Sequence, residues 1–531
     1  IDGIQLQRGE DQDYVINYNT GEISFTPKQM ITKDKRIQAE FEYADRNYLN
    51  SLLYVNSNTV FSNRLSVNVA VYSNVDAKNS PVNQTLDAPQ KQFLSSIGDS
   101  VQNAFYPYAS IDSFSASKIL YKKIDTAYDG RHDSVYVYST NPANAKYNLS
   151  FSYVGQNKGN YVPFFNAANG QVFQWVKPLN GLPQGSYEPA AFLVTPKKQQ
   201  IASIALDYKI NSKTFFSAEA AAGKYDINTF SSKNKNNDQS GAVKFSFQRR
   251  DTIKTAKGKQ LNLQSNAGYE FVHKKFRPVE RLRAAEFARD WGLPLLPAAA
   301  NEQLPNLSLS LSDDKNNSVQ YQLGAYIRDD GFKGYRNVIL HTQEIKGWNF
   351  NNTFSLTNSN TPIDKGFYLR PTVSVSKIFS SFRNITVGGS YSLEHNEIKN
   401  KITDTVSPLS FAFDVAAAFI KSDAAKLNRW SFTYFTRSDK LPYGISLLQS
   451  DRSHNYNFQT ELLQNKHHQV RLNVTYRELH IANKQLTTLT ADNSLLGRLE
   501  YLVNAGRGFI TGNSLYESGA GQEPKRDFTY I

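Results

Sequence analysis

The chain has no cysteine, which excludes disulfides, thiolate metal sites and a cysteine nucleophile. It has no run near the roughly 20 apolar residues that a membrane-crossing helix needs, and its mean hydropathy is −0.52. Hydrolase signatures of the Gly-x-Ser-x-Gly and His-Glu-x-x-His kinds are missing, as are phosphate-loop and dinucleotide fingerprints. Gly506-Arg507-Gly508 reads as a loop. His467 and His468 are adjacent, so on a strand they point to opposite faces and cannot share a metal. His395 beside Glu394 and His454 near Asp451 are the nearest approaches to a hydrolytic pair. Glu10, Asp11 and Asp13 lack the spacing of a calcium loop. Asp313-Asp314-Lys315 and Asp329-Asp330-Gly331 read as turns. No enzyme activity, cofactor or metal is expected.

What the chain does have is alternation. Leu65, Val67, Val69 and Val71 take every second place in one segment, as do Tyr147, Leu149, Phe151 and Tyr153 in another. Segments 429–436 and 469–476 repeat the pattern. Successive strand side chains face opposite sides, so each segment has an apolar and a polar face. Many run to about ten residues, the length a tilted strand needs to cross a bilayer. A barrel wall needs only alternate residues to be apolar, so low mean hydropathy is compatible with it. Tyr (31) and Phe (33) far outnumber Trp (4). Both favour strands, and Tyr suits the membrane–water boundary. The expected fold class is all-β: a large antiparallel transmembrane barrel preceded by a small β-sandwich-like domain.

Residues 1–45 form the opening domain, with short strands at 4–6, 14–18, 22–25 and 36–43, and a tight turn at Asn19-Thr20-Gly21. It is expected on the periplasmic side. The barrel is expected over 46–531, with inserted regions near 75–132, 155–196 and 274–304. The first hairpin turns near Ser62-Asn63. The excursion at 75–132 contains a helix over 90–103 and is of a length barrels carry on their extracellular side. Residues 155–196, rich in Gly and Pro, read as an irregular β-lobe. Wall strands resume at 199–210, 214–226, 240–250 and 259–273. Pro278 at a helix start, apolar Val279, Leu282 and Ala285, and the stop Gly292-x-Pro294 predict a helix over 278–291. Its Arg281, Arg283, Arg289 and Trp291 are the candidate plug or docking residues. Strands are then expected at 305–312, 317–328, 334–342, 346–357, 367–379, 383–394, 409–420, 428–437, 454–463, 467–477, 483–491 and 495–504. The total is near twenty, enough for a wide lumen unless it is plugged. The polar alternates Asn68, Asn148, Ser150, Ser431, Thr433, Arg471 and Asn473 are expected to line it.

The formal net charge is +13 and the pI about 9.3. Lys and Arg are scattered between strands, which fits a solvated, lumen-facing or lipopolysaccharide-facing distribution and not a nucleic-acid site. The expected partners are outer-membrane lipid and lipopolysaccharide, with other envelope proteins. The chain begins at Ile1 and ends at Ile531 inside a patterned segment, so an internal fragment is expected.

The opening run Gly3-Ile4-Gln5-Leu6-Gln7-Arg8-Gly9-Glu10-Asp11 continues as Asp13-Tyr14-Val15-Ile16-Asn17-Tyr18, with Phe41-Glu42-Tyr43-Ala44-Asp45-Arg46-Asn47-Tyr48 closing it. It resembles a family of large, poorly characterised outer-membrane β-barrel proteins of Bacteroidota, with Gln12 inserted into the usual Gly-Glu-Asp-Tyr run. Gly185-Ser186-Tyr187-Glu188-Pro189, the stretch 284–291 and the tail 521–528 also look like that family. A similar opening occurs in the gliding-motility secretion translocon of the same bacteria. The resemblance implies a bacterial outer-membrane location, a chain that continues past the tail, and a role as a channel or in envelope transport or assembly. It brings no catalytic residues. The alternative from composition is a secreted, soluble adhesin of several β-sandwiches.

Overall fold

In the computed structural model the alternating segments pair into one antiparallel sheet of eighteen strands. The structure describes all residues except 2–3, 10–11, 19–20, 27–36, 40–46, 129–130, 166–169, 257, 285, 294–296, 316, 466, 488–489, 506–507 and 519–531. The first nine strands are β1 Tyr48–Ser62, β2 Leu65–Pro81, β3 Lys198–Lys209, β4 Thr214–Asp226, β5 Gln239–Lys254, β6 Gln260–Val272, β7 Glu302–Ser312, β8 Ser318–Arg328 and β9 Lys333–Ile345. The other nine are β10 Trp348–Asn360, β11 Asp364–Phe379, β12 Ile385–Asn400, β13 Phe411–Lys421, β14 Arg429–Tyr443, β15 Ser446–Leu462, β16 His468–Ile481, β17 Asp492–Ala505 and β18 Gly508–Ser518.

Each strand pairs with the next in chain order, β2 meeting β3 across an intervening insert. Apart from register shifts near the ends of the β1–β2 and β14–β15 pairings, one register carries each face along the sheet. Val69 lies opposite Ile204, Ile204 opposite Ala220, and Ala220 opposite Val243. On the other face Ser431 lies opposite Gln459, and Gln459 opposite Asn473. The apolar face stays solvent-accessible along the sheet, as Val69, Ile204, Leu309, Ile339, Phe432 and Leu499 show.

Several expectations need correction. Segment 483–491 forms no strand among its described residues, whereas Gly508–Ser518 adds one. The alternation at 145–153 is not wall. Tyr147–Leu149 pairs with Ala109–Ile111 and with Tyr121 in a separate small sheet, so Asn148 and Ser150 leave the lining set. In the opening domain Tyr14–Asn17 and Glu22–Phe25 form the expected hairpin, with Gly21 at φ 68°. Residues 4–6 are not a strand, and most of 36–43 lies outside the described residues.

The two excursions expected near 75–132 and 155–196 are one insert, residues 82–197, hung between β2 and β3. It opens with helix α1, Ala88–Ser96, capped reciprocally by Asp87 and Gln90. A 3-10 turn follows at Val101–Asn103, so the helix expected over 90–103 is shorter and breaks at Ile97. Two four-stranded sheets then pack around Tyr121, Phe151, Tyr161, Phe173 and Tyr187. Phe151 and Phe173 stack at 4.4 Å. Both buried phenols accept backbone N–H groups, Tyr121 from Phe173 at 3.0 Å and Tyr161 from Tyr136 at 2.9 Å. Burial pushes both above the ordinary phenol range.

The insert is pinned to one end of the wall. The Tyr48 hydroxyl donates to the Val194 carbonyl at 2.7 Å, and Tyr48 packs with Leu86, Leu94, Ala104 and Leu193. Asn228, in the β4–β5 connection and fully buried, donates to the carbonyls of Leu94 and Gly98, each at 2.8 Å. The chain also enters β1 at this end, for the Asn47 carbonyl accepts the Val82 N–H at 2.8 Å. The opening domain and the insert thus lead off the same end of the sheet.

Asn228→Ala removes both donors and leaves two buried carbonyls unpaired. It should cost about 1–3 kcal/mol, read as a lower melting temperature and faster proteolysis within 82–197. Glu188 supplies a pH test. Its carboxylate accepts the Asn160 N–H at 2.8 Å and side-chain amide at 3.0 Å, while burial holds its pKa above the ordinary carboxyl range. The folded insert keeps a proton that the unfolded chain has lost. This contribution is full below the unfolded pKa, about 4.3, and is lost as pH rises through the folded value. Glu188→Gln should flatten that fall in proteolytic resistance as pH rises above about 4.

Candidate functional site

The polar face carries the side-chain chemistry of the sheet. Near the β1–β2 turn Asn68 donates to Asn56 at 2.9 Å and Ser66 to Asn58 at 3.0 Å, with Asp207 opposite Ser66. Asn457 donates to Asn473 at 2.8 Å and to Thr475 at 2.7 Å. Asn68, Ser431, Thr433, Arg471 and Asn473 all share this face by register. Arg471 lies 3.6 Å from Glu500, which also pairs with Arg498 at 2.5 Å.

Towards the insert end the same face becomes charged, and there it holds the β6–β7 connection, residues 273–301. The helix expected over 278–291 is only one turn and a half, α2, Phe287–Trp291. Arg283 explains part of the difference. Its guanidinium reaches Glu270 of β6 at 2.5 Å and Glu302 of β7 at 2.6 Å, so the chain follows the wall instead of coiling. Helical periodicity at 279–285 is overridden by these tertiary partners.

Three side chains, Asp290, Arg289 and Trp291, anchor α2. Asp290 sits 2.7 Å from both Arg336 of β9 and Arg370 of β11. Arg289 pairs with Glu286 at 3.0 Å and with Glu394 of β12. Its guanidinium also lies 5.6 Å from the Tyr368 ring and 5.5 Å from the Phe411 ring. Trp291 is 6% exposed and packs with Tyr326 and Phe332. Gly292 takes the left-handed conformation, φ 70°, that ends the helix.

Glycines make room for the indole. A Cβ on Gly334 would meet Trp291 Cε3 at 2.7 Å, and one on Gly324 would sit 3.7 Å from the same ring. Behind it Arg328, with a side chain only 1% accessible, donates to the Ala298 carbonyl at 2.5 Å and to Asp330 at 2.7 Å, tying the far end of the connection to β8.

These contacts also define the shape of the face. A five-residue helix is about 7 Å long. Its side chains nevertheless reach Tyr326 on β8 and Phe411 on β13. Five strand spacings on a flat sheet would separate those strands by about 24 Å. The polar face is therefore concave around α2.

Of the four expected residues of this segment, Arg283, Arg289 and Trp291 converge on the wall, while Arg281 is exposed ahead of the helix. Sequence reading missed their partners Glu270, Glu302, Asp290, Arg336, Arg370 and Glu394. The available signal was parity: all but Asp290 are charged residues on a face rich in Ser, Thr, Asn and Gln that also carries Gly268, Leu304, Val338 and Tyr368. His395 and Glu394 fall on opposite faces, as do His454 and Asp451, so neither is an aligned pair. Instead His454 pairs with the Tyr434 hydroxyl at 2.8 Å. Among the described residues no cluster of His, Asp or Glu has metal-binding geometry.

Gly334→Ala should push the indole from its seat at a cost of about 1–3 kcal/mol. The expected readouts are a red-shifted tryptophan emission and new tryptic cleavage at Arg281 and Arg283, with wall-strand content unchanged by circular dichroism.

Residues 1–45 match the family described as Domain of unknown function (DUF8818), the same span that the sequence pattern sets apart from the wall. No curated protein matches the chain.

Proposed function

We propose that the eighteen strands close on themselves as an outer-membrane β-barrel, acting as a channel or as a component of envelope transport or assembly. The apolar face would lie against hydrocarbon and the concave polar face would surround a lumen that residues 283–293 obstruct. The carrying observation is the division of faces: one register keeps an exposed apolar surface on one side and salt-bridged groups on the other. Contiguous exposed apolar surface of this extent marks a membrane or partner contact.

Three features support the reading. An even number of antiparallel strands lets β1 and β18 meet antiparallel, as single-chain barrels require. A sheet of more than about ten twisted strands curls or splits, and this one is concave. Polar groups on the apolar face pair with one another: Asn352 with His341 at 2.9 Å, and Tyr321 with Asn337 at 2.7 Å. Such pairing is what hydrocarbon demands of polar atoms. The resemblance of the opening residues to outer-membrane barrels of Bacteroidota belongs to the same proposal. A soluble assembly of sandwiches would instead divide its strands into stacked sheets.

The test is fractionation of the native protein with gel mobility before and after boiling. Recovery with the outer membrane and a heat-dependent shift is expected; soluble recovery without a shift would sink the proposal. Within the fold, Val69→Lys should cost about 2–4 kcal/mol on insertion into vesicles, whereas Ser66→Lys on the polar face should insert nearly as the parent does. Equal losses for the two would contradict the division of faces.

A further inference from the structure

The two ends of the sheet differ in their connections. At the end away from the insert the strands are joined by short turns, of which 422–428 is the longest. The first seven of these carry Arg64, Lys213, Lys259, Lys315, Lys346, Arg383 and Lys426, one or more cations in every turn. In sequence the last two short connections, 463–467 and 506–507, also contain a lysine or an arginine. At the insert end the short connections 329–332, 361–363 and 444–445 contain none, and the first of them holds Asp329 and Asp330.

Several of the acids at the turn end are engaged, whereas Asp207 and Asp314 have no cation within 4.0 Å among the described residues. Asp313 accepts the N–H groups of Lys315 at 2.8 Å and Asn317 at 2.9 Å and pairs with Lys259 at 2.5 Å. Asp251 is held by Arg249 at 2.7 Å and Glu461 by Arg429 at 2.5 Å. Among the described residues Arg64, Lys209, Lys254, Lys346, Lys377 and Arg383 have no carboxylate within 4.0 Å. All of these but Lys377 are exposed. Lys377 shows how such a cation behaves beside apolar surface. Its ammonium lies 5.3 Å from the Trp348 ring and donates to the Lys346 carbonyl at 2.5 Å, lifting the charge to the rim. Trp348, Phe382, Leu427 and Trp430 are exposed at the same level.

A row of cations without carboxylate partners beside exposed aromatic side chains matches the phosphate layer above a hydrocarbon edge. We infer that the short-turn end is a basic collar that binds the phosphate headgroups of anionic membrane lipid. The inference rests on the barrel reading, and it places the collar in the leaflet opposite the insert and the opening domain.

The test uses the full chain in neutral detergent, titrated with short-chain phosphatidylglycerol or phosphatidylcholine and read by tryptophan emission. The parent protein should prefer phosphatidylglycerol roughly tenfold or more, and about 0.5 M NaCl should erase the preference. The combined variant Arg64→Gln, Lys254→Gln, Lys346→Gln and Arg383→Gln should lose it. The matched set Lys333→Gln, Lys365→Gln, Lys401→Gln and Lys484→Gln, at the other end, should keep it. Retention by the collar variant would overturn the inference. Equal competition by inorganic phosphate at matched ionic strength would also overturn it, by reassigning the collar to free anions. A heat-dependent gel shift is recorded for every sample. A shift without lipid preference defeats the collar alone, whereas no shift with solubility free of detergent defeats the barrel reading beneath it.

Discussion

The backbone ladder of the eighteen-strand sheet is the constraint on which everything else depends. Alternation along one strand assigns faces only locally. Hydrogen-bonded register passes the assignment to the neighbour, and a slip of one residue anywhere would invert every strand beyond it. Val69 can stand on the same surface as Leu499 only because each intervening pairing keeps parity. The antiparallel order also sends the termini of successive strands to alternate ends, so turns, insert and charges sort themselves without further instruction.

That sorting lets one face hold chemistry that would be expensive on the other. Arg283, Arg289, Arg336 and Arg370 sit among Glu270, Glu302, Glu394 and Asp290, largely withdrawn from solvent. Buried guanidinium groups are tolerated when each meets a carboxylate or an aromatic face. Here they meet both: Arg370 lies 4.5 Å from the Tyr368 ring and Arg437 lies 3.8 Å from that of Phe413. The 273–301 connection is thus held by directional charge pairs and one indole seat, and not by a broad apolar interface.

Much of the wall was legible in the sequence. The strands from 199 to 273 fall within a few residues of their expected bounds, because long alternating runs between polar turns have no competing local structure. The misreadings have physical causes. Tyr147, Leu149 and Phe151 alternate as a wall strand does, since any half-buried strand shows period two; only its partners reveal a small sheet. Gly508 and Gly512 thin the pattern of β18 and hid it. The helix over 278–291 had correct spacing, but Arg283 gains more from two carboxylates than from another helical turn. The parity of charged residues held the candidate site in outline, while the meeting of Asp290 with Arg336 and Arg370 depends on curvature that no single strand encodes. The closing motif at 41–48 and the tail at 521–528 lie almost wholly outside the described residues.

The seam between β2 and β3 has a bearing on the order of assembly. The two strands are hydrogen-bonded neighbours, yet the whole insert separates them in sequence. Their junction is stitched by the Asp76 N–H to the Lys197 carbonyl at 2.9 Å and by the Lys197 N–H to the Asp76 carboxylate at 2.8 Å. Bringing such distant residues together carries a loop-closure cost that falls when the intervening chain is already compact. The aromatic-cored insert supplies that compaction from local contacts. It works as a splint: once folded, it delivers the first hairpin to the long meander in register, and the longest-range pairing between strands consecutive in sequence becomes a docking step.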